Sequence, residues 1–162
     1  MKELNEKEAL RYAAAYCSGA ERCIREVENK LTAAGVSGET AQKIIGRLIE
    51  EKFIDEARYA AGFVNDKLRF NKWGRIRLDY ELKKKDIPAP VRAEAIGHID
   101  PVFYAGLLST LLKEKKKSIK AKDPYDEYAK LFRFATGRGF ESAIVSSCLR
   151  NIYNHSGYEP EE

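Results

Sequence analysis

Apolar residues return in this chain at long, nearly equal spacings. Val27, Leu31 and Val36 are matched by Leu78, Leu82 and Ile87, and again by Leu131, Ala135 and Phe140. Ile87 lies 51 positions after Val36, and Phe140 lies 53 after Ile87. Ile44, Ile45 and Leu48 are followed in the same way by Ala95, Ile96 and Ile99, then by Cys148, Leu149 and Ile152. Tyr12-Ala13-Ala14 is echoed by Tyr59-Ala60-Ala61 and more weakly by Tyr104-Ala105-Gly106. The turn position carries Gly35, Asp86 and Gly139 in the three copies. Ordinary helix periodicity does not give matching offsets at so many positions, so the pattern is an internal repeat.

Each copy reads as three short helices. A unit of that size cannot bury all its apolar faces alone, and stacking against its neighbours completes the core. The expected fold is therefore all-α, with three tandem, helix-turn-helix-like three-helix repeats stacked into an elongated, curved body. The repeats span 1–53, 54–99 and 100–155, with a lysine-rich insertion at 113–122 and a polar, frayed tail at 156–162.

Within the first repeat, residues 5–17 read as a helix with Leu10, Ala13, Ala14 and Cys17 on one stripe. Ser18 and Glu21 have capping-box spacing and open the second helix, whose inward positions are Cys23, Ile24, Val27 and Leu31. Gly35 ends that helix. Ser37 caps a third, which carries Ile44, Ile45, Leu48 and Ile49 inward. Asp55 and Glu56 are adjacent carboxylates, which diverge on a helix; at a helix start they cap the end and favour its dipole. In the third repeat, Asp100-Pro101 and Asp123-Pro124 each pair a cap with a first-turn proline. Lys113 to Lys122 between them extends the preceding helix or forms a joint.

The charge is local. Lys67, Arg69, Lys72, Arg75, Arg77, Lys83, Lys84 and Lys85, set against Asp79, Glu81 and Asp86, give residues 67–87 a net +5, while the whole chain carries +4. From Gly74 onward the stretch reads as a helix with Leu78 and Leu82 inward. Trp73, Arg77, Tyr80 and Lys84 share another face. Cations among aromatics grip phosphates, stack on bases or meet an acidic protein. The plain alternative is a solvated basic helix with Trp73 and Tyr80 partly in the core.

No reactive constellation is present: no glycine-rich loop after a strand, no HExxH, no GxSxG, no histidine beside a nucleophile. His98 and His155 are isolated. Cys17, Cys23 and Cys148 occupy apolar-periodic positions and read as buried, reduced thiols. An enzyme, a cofactor and a metal are not expected. No apolar run approaches the ~20 residues that span a bilayer, and the start lacks the apolar core of a secretion signal. A cytoplasmic protein is expected.

Asp55-Glu56-Ala57-Arg58-Tyr59-Ala60 resembles the DDxRFA signature of the RecX regulatory proteins. The run Gly74 to Ile87 is similar to that family's GxxRIxxELxxKGI, with Asp86 where the family has glycine. Leu48 to Asp55 is similar to its LxxxGLIDD join. The resemblance covers about residues 8–153. It implies tandem three-helix repeats and, as partner, the RecA recombinase filament on DNA, in whose helical groove such proteins lie. It implies a non-enzymatic modulator that mainly inhibits strand exchange, ATP hydrolysis and coprotease action. Arg58, from the first motif, is expected either to touch the partner or to tie two helices together. With the cations Lys67, Arg69, Lys72, Arg75, Arg77, Lys83, Lys84 and Lys85 and the aromatics Trp73 and Tyr80, it forms the expected RecA- and DNA-binding set. Contact with the DNA phosphate backbone is expected to be weak and nonspecific, and the protein to act as a monomer. The rivals are a DNA-binding helical module acting independently of RecA and a scaffold for an unrelated acidic protein.

Overall fold

The computed structural model describes residues 4–155, so the expected frayed tail at 156–162 lies outside the described residues. Among these residues there are nine helices and no strands. They are α1 (Glu6–Gly19), α2 (Ile24–Ala33), α3 (Gly38–Glu50), α4 (Glu56–Asp66), α5 (Arg75–Lys84), α6 (Ala89–Gly97), α7 (Pro101–Ser118), α8 (Pro124–Gly137) and α9 (Ser142–His155). A π-helical turn, Lys67–Asn71, continues α4. The helices fall into three triplets, and the protein is an all-helical tandem of three-helix repeats. No single helix among the described residues is long and apolar enough to cross a membrane.

The repeat is carried by one turn, built three times. Val27, Leu31 and Val36, then Leu78, Leu82 and Ile87, then Leu131, Ala135 and Phe140, are buried at every position. In each copy the chain leaves its helix through a left-handed residue: Gly35 at φ 82°, Asp86 at φ 59° and Gly139 at φ 92°. The same back-bonds recur. The amides of Val36, Ile87 and Phe140 donate to the carbonyls of Leu31, Leu82 and Ala135 at 3.0, 3.2 and 3.2 Å. Those of Gly35, Asp86 and Gly139 donate to Thr32, Lys83 and Thr136, each at 3.0 Å. These are the orphan carbonyls of a helix C-terminus, satisfied by a left-handed exit that also returns an apolar residue to the core.

The backbone divides into two compact units: the described residues up to Phe63 with Leu82–Ala95, and Val64–Glu81 with the described residues from Ile96 on. In the first unit, α1, α2 and α3 pack pairwise over Ala9, Ala13, Val27, Leu31, Ile44, Leu48 and Ile54. In the second, α7, α8 and α9 pack pairwise over Leu108, Leu112, Leu131, Val145 and Leu149, all fully buried. The rings of Tyr104 and Phe140 meet at 5.2 Å in that core.

Caps set the helix starts. Asn5, Ser37, Asp100 and Asp123 each accept a backbone N–H from the first turn they precede. Asp55 accepts from Arg58 N at 3.1 Å. Its neighbour Glu56 accepts from Ile24 N at 3.2 Å and so caps α2. Two expectations need correction. Ser18 and Glu21 do not open α2: Ser18 Oγ donates to the Ala14 carbonyl within α1, and Cys23 is the N-cap, its amide donating to Glu26 at 3.0 Å. Arg22 lies over the Tyr16 ring at 3.9 Å and donates to the Tyr16 carbonyl at 3.1 Å, so the link tightens and the start shifts. Ile49 is 44% exposed rather than inward; Ile44, Ile45 and Leu48 already fill that face of α3. The lysine-rich segment 113–122 divides: α7 runs on to Ser118, and 119–122 form the non-helical link to α8. Cys23 and Cys148 are buried and Cys17 half-buried, and burial pushes the Cys23 thiol up to about 11.

Asp86 is the one copy of the turn without glycine. A side chain in the left-handed region costs about 1–2 kcal/mol, and the Arg25–Asp86 ion pair at 3.1 Å is well exposed and returns little of it. Asp86→Gly is expected to stabilise the protein by about 0.5–1 kcal/mol. Thermal or urea unfolding measures it, and a lower midpoint for the variant contradicts the reading.

Candidate functional site

The basic stretch begins as an irregular piece of backbone. α4 passes into the π-helical turn Lys67–Asn71, and Lys72 then takes a left-handed conformation at φ 57°. Lys72 caps that turn, its Nζ donating to the Arg69 carbonyl. The chain can then reverse into α5 within three residues. Single π turns recur at functional sites because the extra residue in the turn redirects side chains.

The start of α5 is held from outside the helix. A helix leaves its first amides without intrahelical partners. Here Gly74 N donates to the Arg138 carbonyl at 2.8 Å and Ile76 N to the Gly139 carbonyl at 3.0 Å. Arg75 N donates to the Tyr104 hydroxyl at 2.9 Å. The α8–α9 turn thus seats on the α5 N-terminus, so closely that neither side tolerates a Cβ. One built on Gly74 falls 2.3 Å from Phe140 N, and one on Gly139 falls 2.4 Å from Arg77 Cβ. Gly139 is needed for its positive φ as well as for its size.

Around that seat the aromatic and cationic side chains pair. Arg75 donates to Glu141 at 2.7 Å and stacks on Tyr104 at 3.9 Å; the Tyr104 hydroxyl also donates to Glu141. Burial pushes the Glu141 carboxyl up, but hydrogen bonds from Tyr104 and Arg75 outweigh it and hold the group below its ordinary value. Trp73 receives two cations, Arg77 at 4.4 Å and Lys67 at 5.4 Å from the ring centre. Arg69 lies over Phe103 at 4.7 Å and donates to Asn65 at 2.8 Å. Such contacts are worth about 0.5–2 kcal/mol each, more where water is excluded.

Seven of the expected site residues therefore gather in one unit: Lys67, Arg69, Lys72, Trp73, Arg75, Arg77 and Tyr80. Arg75 is tied into the fold, and Tyr80 stands 59% exposed, as do Ile76 at 60% and Phe70 at 79%. Arg58, Lys83, Lys84 and Lys85 belong to the other unit. Arg58 ties the start of α4 to the α1–α2 and α3–α4 links, donating to Glu21 at 2.7 Å and to the Lys52 and Phe53 carbonyls at 3.1 and 3.4 Å. Lys85 pairs with Glu26 at 3.5 Å. Lys83 and Lys84 are exposed on the last turn of α5, and the Lys84 carbonyl accepts from Arg25 at 2.7 Å. Sequence reading missed Tyr104, Glu141 and Phe103. Only Tyr104 carried a signal, as the third member of the Tyr-Ala echo.

Two family models match the chain: the second three-helix domain of RecX over residues 55–96 and the third over residues 107–149. Together they cover more than half of the chain. A regulatory protein RecX from Prosthecochloris aestuarii is 29% identical over 152 residues, covering 94% of this chain and 98% of that protein. Regulatory proteins RecX from Clostridium perfringens and Clostridium tetani are 28% and 29% identical, over 83% and 82% of this chain. The chain spans only 64% and 62% of the length of those two relatives. Among solved structures, RecX from Lactobacillus salivarius superposes with a TM-score of 0.82 at 20% identity, over 91% of this chain and 96% of that one. That likeness is one of fold.

The seat of α5 gives a direct test. Gly74→Ala puts a methyl group into backbone and is expected to cost at least about 2 kcal/mol, beyond the range of an ordinary surface change. Gly62→Ala, in α4 with nothing within 4 Å of its added Cβ, is expected to be neutral or to gain up to about 1 kcal/mol in helix propensity. Chemical denaturation of both variants measures the contrast, and equal effects contradict it.

Proposed function

The chain belongs to the RecX family, and we propose from that premise that it is a cytoplasmic regulator of the RecA recombinase that binds RecA–DNA filaments. Its three repeats, at 1–53, 54–99 and 100–155, lie in the helical groove of the filament and contact successive subunits and nearby DNA phosphates. Bridging of that kind hinders the subunit motions needed for ATP turnover and blocks entry of a second duplex. Recombinase, ATPase and coprotease activities then fall together, with no chemistry done by the regulator itself.

The observation that carries this reading is the cation–aromatic cluster of Lys67, Trp73 and Arg77. It lies inside the segment matched as the second RecX domain, with Arg77 and Lys67 on the Trp73 ring and Tyr80 open to solvent. Lys67, Arg69, Lys72, Arg77, Lys83 and Lys84, with Trp73 and Tyr80, are the groups assigned to partner contact. Arg58, Arg75 and Lys85 take a different part: each is held, within its own unit, by an ion pair with Glu21, Glu141 and Glu26 respectively. The DNA contribution is phosphate neutralisation, weak, independent of sequence and steeply weakened by salt. One copy of the chain suffices.

Reversing Arg75 tests folding as much as function, since it leaves Glu141 unpaired. The cleaner variant replaces Lys67, Arg77 and Lys83 by Gln together. About tenfold more of that protein is expected to be needed for half-inhibition of RecA ATP hydrolysis, as for loss of charge complementarity at an interface. Unchanged inhibition by a folded triple variant removes the cluster from the site. Affinity for bare and for RecA-coated DNA across a salt series separates this reading from DNA binding alone. Tight binding to bare DNA with no gain from RecA contradicts it.

A further inference from the structure

α7 has a second face. Tyr104, Leu108 and Leu112 point into the core, while Phe103, Gly106, Leu107, Thr110, Leu111 and Glu114 line an open groove of about 620 Å³, flanked by Arg69 and Lys72 of the π turn. Helical spacing puts these six residues on one stripe. The chain neighbours of its rim, Phe70 and Val102, are 79% and 80% exposed. The volume suits a few side chains of a partner.

The charges at the mouth say what those side chains belong to. Arg69 donates to the Asn65 amide oxygen and Lys72 to a backbone carbonyl. Among the described residues neither meets a carboxylate. Both are held by irregular backbone, the π turn and the left-handed Lys72, which costs free energy and persists only where the surroundings hold it in place. Glu114 marks the other end and is engaged with Lys117 at 3.2 Å. Phe103 is the one aromatic residue in the walls, so there is no stacking platform for successive bases, and Glu114 repels phosphate.

We propose that this groove docks an acidic segment with apolar anchors contributed by the RecA protein itself, its carboxylates on Arg69 and Lys72 and its apolar side chains on Leu107 and Leu111. The inference rests on the regulatory reading above and assigns a protein contact, as distinct from a DNA contact, to this part of the chain. Short amphipathic segments enter grooves of this kind through anchors at helical spacing.

Gly106 makes the test clean. A Cβ there meets nothing within 4 Å, and glycine within a helix gains in stability on replacement. Gly106→Leu therefore fills the groove from within while keeping the fold. Co-sedimentation with RecA filaments on single-stranded DNA, and binding to bare oligo(dT), are measured for the full chain and for this variant. Gly106→Leu is expected to weaken filament binding roughly tenfold, as loss of an interface anchor does, with oligo(dT) affinity unchanged and an unfolding midpoint no lower. Arg69→Glu with Lys72→Glu is expected to weaken filament binding at least as far. Filament binding by Gly106→Leu within about twofold of the parent, less than the effect of one anchor, overturns the inference. So does an equal loss of oligo(dT) affinity, which makes the occupant nucleic acid, or a dimer of the parent chain that Gly106→Leu disperses, which makes it a second copy. A parent chain that ignores the filament overturns the regulatory reading, and this inference with it.

Discussion

Two glycines that meet across a turn and a helix start set the limits of this structure. Gly74 and Gly139 each lie where a single added carbon would collide with backbone or with Arg77. Their closeness lets the Arg138 and Gly139 carbonyls reach the first amides of α5. The usual N-cap is a side chain that accepts one of these bonds. Here a neighbouring turn and the Tyr104 hydroxyl do so instead. The basic helix begins where the third repeat ends a helix, so its register depends on residues more than sixty positions away.

That arrangement divides the labour among the cations. A stretch with net +5 reads in sequence as one uniform patch. In the fold, Lys85 is paired with Glu26 of α2, Arg75 with Glu141 just before α9 and Arg58, from the preceding helix, with Glu21 of the α1–α2 link, while Arg77 and Lys67 lie over one indole ring. Exposed ion pairs add little to stability by themselves. The Arg75–Glu141 pair is less exposed, at 24% and 29% of the side chains, and the Tyr104 hydroxyl joins it, so it fixes orientation as well. Arg69 and Lys72 instead have neutral partners, the Asn65 amide oxygen and the Arg69 carbonyl.

The repeat, its helical class and its turn positions were legible in the sequence, because each rests on local rules. A left-handed helix exit needs Gly or a tolerant substitute, and the buried residues around it recur at fixed offsets. Gly35, Asp86 and Gly139 carried that signal. The α2 start was misread because Ser18 and Glu21 satisfy a capping pattern that the Arg22–Tyr16 contact overrides. The π turn at Lys67–Asn71 left no trace in periodicity, since one extra residue in a helix looks the same as a shifted stripe. Glu141 was invisible for a different reason: its role exists only once Tyr104 and Arg75 are brought beside it. The candidate site was thus half readable. The charges could be listed, but which were already spoken for could not.

Native-state hydrogen exchange at the amides of Gly74, Arg75 and Ile76 tests the seat of α5 most directly. Amides of a free first turn exchange almost as fast as an unstructured chain. With acceptors on the α8–α9 turn and on Tyr104, the three are expected to exchange as slowly as the buried amides of α8 and α9, and to open with them. Fast exchange at these three positions while α8 and α9 remain protected contradicts the account.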